Sequence, residues 1–414
     1  MNNPHTLLQQ SLALPCGSLL KNRLAKSAMS EALGTTDNHP TEALVSLYGR
    51  WAAGGIGLLI TGNVMVDRRA LGEPNNVVIE DDSDLPLLRR WAEAGQADGT
   101  QIWVQLNHPG RQSPKGLNAE NVSPSAVPFN QALQAFFAPP RALSEAEIPA
   151  LIQRFARAAG VVKRAGFSGV QIHGAHGYLV SQFLSPLTNQ RTDQWGGSAE
   201  NRRRFVLELY HAIRAEVGAD FPIGIKLNSA DFQRGGFTEE ESLAVIQALQ
   251  AAGIDMVELS GGTYEAPAMS DSGRHKDSTL AREAYFLEFA EKVRATVQVP
   301  LMVTGGFRSL RGMATALDSG ALDLVGLARG LAIEPDLPRR LLAGHDPLHQ
   351  VRPIRTGIKA IDRMALMEVV WYSRQLRRLA KGGAPKPNES GLWSFCANLL
   401  HNGVGTWKTR RLRA

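Results

Sequence analysis

Residues 169–183 read Gly-Val-Gln-Ile-His-Gly-Ala-His-Gly-Tyr-Leu-Val-Ser-Gln-Phe. An apolar, strand-like run from Gly169 to Ile172 ends in two imidazoles and a phenol, His173, His176 and Tyr178, set among Gly174 and Gly177. A histidine satisfied within a core is usually solitary, whereas glycines around a reactive group let backbone and ligand approach closely. The stretch reads as chemistry at the carboxyl end of a buried strand. Which sheet that strand belongs to is decided by the rest of the chain.

Seven further runs have the same character: Leu24 to Met29, Gly57 to Val66, Gln101 to Asn107, Ile223 to Asn228, Met256 to Gly261, Leu301 to Gly305 and Leu324 to Ala328. With Gly169 to His173 they make eight, and helical patterns alternate with them near 41–54, 85–98, 144–165, 198–217, 238–252, 281–296, 309–319 and 336–343. Ser144 with Glu147, and Thr238 with Glu241, fit the capping box, in which a hydroxyl and a carboxylate satisfy the free amides of a first helical turn. Gly166, Gly253 and Gly320 stand where helices should stop. Eight strand–helix units with continuously apolar strands predict an α/β fold, a parallel (β/α)8 TIM barrel covered by helices. An open dinucleotide-binding sheet would need a glycine-rich turn after its first strand, and Gly54, Gly55 and Gly57 instead precede a strand.

In a barrel, ligand chemistry belongs at the carboxyl ends of the strands. The polar residues fall there: Ser30, Gly62 and Asn63, Gln105 and His108, the His173–His176–Tyr178 group, then Lys226 and Asn228. The seventh strand ends in Thr304-Gly305-Gly306 and the eighth runs into Ala328-Arg329-Gly330. Glycine amides with an arginine suit a phosphate.

With 414 residues, 43% of them hydrophobic, the chain can bury a large core, which excludes disorder. No run of 18 apolar residues or signal-peptide pattern occurs, so a cytoplasmic protein is expected. Cys16 and Cys396 are too few for a disulfide scaffold or a cysteine-ligated cluster. Residues 350–414 carry 13 Lys/Arg against 3 Asp/Glu, leaving the remainder slightly acidic, and without a basic, aromatic-lined groove nucleic-acid binding is not expected. The division expected is a barrel over 1–345 and a basic, partly helical extension over 346–414. That extension holds an amphipathic stretch, Met364 to Leu379, then Trp393, Phe395, Leu399, Leu400 and Trp407 before Lys408 to Arg413. Packing on the barrel or on another subunit of a homo-oligomer is the expected role, and contact with an anionic membrane surface is the alternative.

These residues together resemble the Old Yellow Enzyme family of FMN-dependent ene-reductases, also described as the NADH:flavin oxidoreductase/NADH oxidase family. The resemblance spans roughly residues 5–345 and is most specific in H-G-A-H-G-Y-L-V-S-Q-F-L-S-P-L-T-N-Q-R-T-D-Q-W-G-G-S-A-E-N-R, His173 to Arg202. N-R-L-A-K-S-A-M-S at 22–30, Q-L-N-H-P-G-R at 105–111 and T-G-G-F-R at 304–308 support it. It implies bound FMN, with the phosphate on Gly305, Gly306, Ala328 and Arg329. The ring would lie against Ala28, Met29, Ser30, Gly62, Gln105, His173 and Lys226. Ser30 would donate to a flavin carbonyl and Gln105 would bond the pyrimidine edge. Lys226 stands where many relatives have arginine. It would stabilise the anionic reduced ring as a point charge, or else pair with a carboxylate such as Asp231.

The activity implied is ping-pong. NADH or NADPH reduces the flavin, and an α,β-unsaturated carbonyl compound then takes hydride at its β carbon in the same pocket. His173 and His176 would hydrogen-bond the carbonyl oxygen, and Tyr178 would protonate the α carbon. A phenol with a pKa of about 10 is adequate toward a developing carbanion. Two rival readings are a metal-dependent barrel hydrolase using His108, His173 and His176, and a non-enzymatic, membrane-associated flavin protein; no metal is expected. Residues 107–143, with Phe129, Phe136 and Phe137, are long enough for a substrate loop, or these rings serve as ordinary anchors.

Overall fold

A computed structural model describes residues 4–263, 265, 286–358, 362, 367–397 and 400. Eight strands form its centre: β1 (Leu24–Lys26), β2 (Leu58–Met65), β3 (Gln101–Asn107), β4 (Gly169–Gly174), β5 (Ile223–Asn228), β6 (Met256–Ser260), β7 (Leu301–Thr304) and β8 (Leu324–Leu327). Each pairs in parallel with the next, and β8 pairs with β1, so the sheet closes on itself as the sequence predicts. Around it lie α1 (Glu42–Ala53), α2 (Leu85–Gly95), α3 (Glu147–Arg164), α4 (Ala199–Val217), α5 (Glu239–Ala252), α6 (Leu287–Arg294), α7 (Leu310–Asp318) and α8 (Leu337–Leu342). Beyond the barrel comes α9 (Met367–Ala380).

Local signals act where expected. Thr238 and Glu241 form the reciprocal capping box that starts α5, and Gly253 ends the helix in a left-handed conformation with φ of 94°. At Ser144 the outcome differs: its amide and hydroxyl both bond Glu147, but Ala146 holds the cap position of α3 and makes no side-chain cap. Strand β1 is shorter than expected, ending at Lys26 although the Ser27 amide still donates to Leu327 O of β8 at 2.8 Å. Residues 281–285 of the expected 281–296 helix lie outside the described residues, as do Met364, Leu399, Trp407 and Lys408 to Arg413.

Side chains alternate across each strand. One face of β3 to β8, including Val104, Leu106, Val170, Ile172, Ile225, Leu227, Val257, Leu259, Val303 and Val325, belongs to the large core shared with the helices. The other face fills the barrel. Its lowest layer is apolar: Ala25, Leu58, Ile60, Trp103, Met256, Met302 and Leu324, closed from below by Leu12, Leu14 and Leu20 of an antiparallel amino-terminal pair. Trp103 fills this layer because Gly169 and Gly224 make room, since a Cβ at either would stand 2.6 Å and 2.8 Å from the indole. The barrel is therefore plugged at its amino-terminal end, and whatever binds must enter from the carboxyl ends of the strands.

Helix α9 buries Trp371, Leu376 and Leu379 in the same core cluster as α1. Behind it, Glu389 accepts from Arg374 and Arg378, each at 2.8 Å, which turns the chain back on the helix. Among the described residues no helix is long and apolar enough to cross a membrane.

Candidate active site

Above the apolar floor the barrel interior becomes polar. The next layer holds Ser27, Gln105, Gln171, Lys226, Glu258 and Thr304, all buried and bonded to one another. His173 stands opposite Lys226 in the register, one residue short of the end of β4, and Asn228 and Ser260 close β5 and β6 above that layer. The position one residue further along β8 than Val325 is Gly326, and a Cβ there would stand 1.9 Å from the Thr304 hydroxyl, so only glycine leaves space for the layer.

The three residues singled out after β4 are brought together. The His173 ring lies 5.2 Å from that of His176, at 90°, and 4.7 Å from that of Tyr178. His176 adopts φ of 60°, a left-handed conformation unusual for a side-chain-bearing residue, and Gly177 follows at 79°. Asn228 holds the strained turn, its Oδ1 accepting the His176 amide at 3.1 Å. The His173 Nδ1 accepts the Ala175 amide at 3.3 Å, so the ring proton resides on Nε2 and that edge is a donor. His176 Nε2 lies 2.7 Å from Ser260 Oγ. Burial, with the neighbouring His176 and the Lys226 ammonium, holds His173 well below the ordinary imidazole value. Burial and Lys226 bring His176 down to about 3 despite Glu258. Both rings are neutral hydrogen-bonding groups at neutral pH.

His108 is placed differently. Its Nδ1 accepts the Gly110 amide at 3.1 Å, and its charged neighbours are Asp67, Arg154 and Arg69, whereas those of the other two histidines are Lys226 and Glu258. Among the described residues no group of three His, Cys, Asp or Glu side chains is arranged to hold a metal ion. Burial, reinforced by the two arginines against the pull of Asp67, lowers His108 to about 4. An unfolded chain takes up this proton below its ordinary 6.5, while the folded chain refuses it until about 4, so stability falls as pH drops through that window. The carboxyls of Glu31, Glu73 and Asp231 are raised by desolvation and act in the opposite sense, so the informative quantity is a difference. Replacing His108→Gln should remove about 1.4 kcal/mol per pH unit of the acid-side dependence. Urea denaturation of both proteins at several pH values measures it, and equal slopes would mean that the folded imidazole is charged.

The residues expected at the flavin lie at the same mouth, in three groups. Gln105 and Lys226 stand in the polar layer; Gln105 Nε2 donates to Gln171 Oε1 at 2.8 Å, and Lys226 Nζ lies 3.0 Å from Glu258 and 2.8 Å from Ser27 Oγ. The carboxylate paired with Lys226 is thus Glu258 and not Asp231, which accepts from the Phe237 amide at 3.1 Å. Gly62 sits where the β2–β3 register shifts, between Ile60 and Asn63, and a Cβ there would meet Met29 O at 2.3 Å. Ala28, Met29 and Ser30 follow β1. The Ser30 hydroxyl donates to the Glu73 carboxyl. Gly305 and Gly306 take successive positive φ values of 110° and 90° after β7, a backbone that residues with a side chain rarely adopt. Ala328 precedes Arg329, which opens the short helix Arg329–Ile333 and pairs with Glu368 of α9.

Residues 16–346 match the model of the NADH:flavin oxidoreductase / NADH oxidase family. The chain belongs to that family. It is 40% identical over 359 residues to the NADH-dependent flavin oxidoreductase iliE of Hypocrea jecorina (strain QM6a), covering 81% of this chain and 88% of that protein. It is 38% identical over 411 residues to iccE of Talaromyces variabilis, also an NADH-dependent flavin oxidoreductase, covering 91% and 99%. The solved structure of the old yellow enzyme homologue from Zymomonas mobilis superposes with a TM-score of 0.69 at 25% identity, over 83% of this chain and 94% of that one. As a member of the family the protein is an FMN-dependent oxidoreductase that draws on NAD(P)H. The donor set fits that cofactor. A buried amide and ammonium, Gln105 and Lys226, lie in the polar layer of the barrel, and Gly305 and Gly306 follow β7 as Arg329 follows β8.

The sequence reading missed three groups. Glu258 has no role in the sequence analysis; its signal is a carboxylate in an inward-facing strand position beside a strand carrying lysine. Lys26, fully buried against the rings of Tyr48 and Trp51, bonds Ile60 O at 2.7 Å and pairs with Glu31 at 3.7 Å. Glu31 in turn accepts from Tyr48 and from the Gly62 amide, tying that glycine to α1. Of the aromatic residues in the segment after β3, Phe129 and Phe137 pack on each other at 4.7 Å, with Arg111 4.2 Å from the Phe129 ring, as anchors would; Phe136 is half exposed.

Proposed function

We propose that the protein reduces the activated C=C bond of α,β-unsaturated carbonyl compounds with NADH or NADPH, the two substrates using one pocket in turn. The observation that carries the reading is the neutral His173–His176 pair in ring contact with Tyr178 at the mouth of a plugged barrel. Bound FMN supplies the hydride relay between nicotinamide and the β carbon of the alkene. Gly305, Gly306, Ala328 and Arg329 would hold its phosphate, and Ala28, Met29, Ser30, Gly62, Gln105, His173 and Lys226 would border its ring.

The chain's own contributions follow from their chemistry. Neutral imidazoles donate to the substrate carbonyl without surrendering a proton, so they stabilise enolate character as it develops and hold the alkene in place. His173 is set for this by the Ala175 amide, which leaves Nε2–H as the donor. Tyr178 is buried, with its ring packed on His173, and its hydroxyl would deliver the proton to the α carbon. The closed floor keeps bulk water from reaching the reacting atoms from below.

Anaerobic stopped-flow tests the proposal. The purified yellow protein should bleach with NADH or NADPH, and its absorbance should return on mixing the reduced protein with enones or nitroalkenes, with parallel-line steady-state kinetics. A reduced protein that no activated alkene reoxidises would end the reading.

A further inference from the structure

TIM-barrel interiors are usually filled by branched apolar side chains, so a carboxylate midway up one calls for a reason. Glu258 is wholly buried. The parallel register sets its Cα directly opposite that of Lys226, so both side chains enter the barrel at one height. Its Oε1 accepts from Ser27 Oγ at 2.5 Å, from Thr304 Oγ1 at 2.7 Å and from the Lys226 ammonium at 3.0 Å. Its Oε2 accepts from Gln171 Nε2 at 2.7 Å. Burial pushes the carboxyl up, but the Lys226 charge and these donors outweigh burial and hold it below the ordinary carboxylate value. It is ionised, and it can only accept.

That fact propagates. Gln171 must turn its amino group to the carboxylate and therefore its carbonyl away, toward Gln105. Gln105 must then present its own amino group to Gln171, as its 2.8 Å bond records. One charge thereby sets the orientation of an amide two side chains distant and the position of an ammonium beside it. A buried ion pair is poor evidence for stability, because desolvation offsets most of its attraction. Its value here is directional.

We propose that Glu258 is a positioning residue for the flavin: through Gln171 it fixes which atoms of Gln105 face the pyrimidine edge, and by pairing with Lys226 it tempers the positive charge offered to the reduced ring. The inference rests on the FMN placement given under Proposed function. Lys226 favours the anionic reduced cofactor and so raises its reduction potential; Glu258 opposes part of that field and lowers it.

Glu258→Gln keeps the volume and removes the charge. The midpoint potential of the bound flavin should become more positive by at least a tenfold change in the reduction equilibrium, about 30 mV for a two-electron couple. In a Lys226→Gln background the same change should produce little shift. A potential equal to wild type, or an equal shift without Lys226, would overturn the proposal. Should Glu258→Gln not fold, Gln171→Leu carries the test: it cuts the link to Gln105 and leaves the ion pair. FMN titration should then give at least tenfold weaker binding at an unchanged melting temperature of the apoprotein, and unchanged binding would refute it. A wild-type protein that binds no FMN would count against the placement of the cofactor, not against the geometry of the relay.

Discussion

Tyr178→Phe should reduce the flavin with NADH at close to the wild-type rate and yet return electrons to an enone about 100- to 10,000-fold more slowly, the range that a positioned proton donor contributes. The substitution is structurally mild. The ring contact with His173 persists in phenylalanine, and the change removes one hydroxyl. Hydride delivery still generates negative charge on the substrate, but the α carbon must then take its proton from water instead of a positioned phenol. The two half-reactions, followed separately in anaerobic stopped-flow, distinguish this from general damage: a folding defect or loss of cofactor slows both. Equal enone reoxidation by mutant and wild type would remove Tyr178 from the role of donor.

Removing a donor to the substrate oxygen has the next largest effect. His173→Ala should lower the rate of enone reoxidation about 100- to 1,000-fold, as expected when one preorganised hydrogen bond to developing negative charge is lost. His173→Asn, which retains an N–H, should recover part of it. FMN binding is measured alongside, because the ring also borders the proposed flavin position. Neutrality of both imidazoles has a further signature. With His176 near 3 and His173 also well below its ordinary value, the wild-type oxidative half-reaction should show no histidine titration between about pH 5 and 8. A limb near 6.5 that vanishes in His173→Asn would show that the ring charges during the reaction, and its assignment as a neutral donor would fail.

The barrel and the reactive trio were legible because their signals are local. Apolar runs of strand length, glycines at turns and polar residues at run ends all lie within a few positions of one another, and physics ties each to a neighbour in sequence. Ser30 shows the limit. Its hydroxyl at a strand end reads as facing a ligand, but its contact with Glu73, 43 residues away, is visible only once the chain is folded. Lys226 and Glu258 are 32 positions apart, and they become partners only once the β5–β6 register is known. Before that, one is a lysine at a strand end and the other a flaw in an apolar strand. Lys26 and Glu31 were hidden for the same reason, since Tyr48, Trp51 and Gly62 reach them from other elements.

Helix α9 has a consequence beyond packing. Ser373 donates to Ser30 O at 3.2 Å, just past β1, and Glu368 pairs with Arg329, just past β8. Those two strands are the ends of the cyclic sheet, and their pairing is its seam. A helix that grips both sides of a seam can settle only when the edges have met, and once settled it resists their parting. The carboxyl-terminal segment therefore acts as a clasp across the seam of the barrel, fastened on one side to the arginine proposed to hold the phosphate.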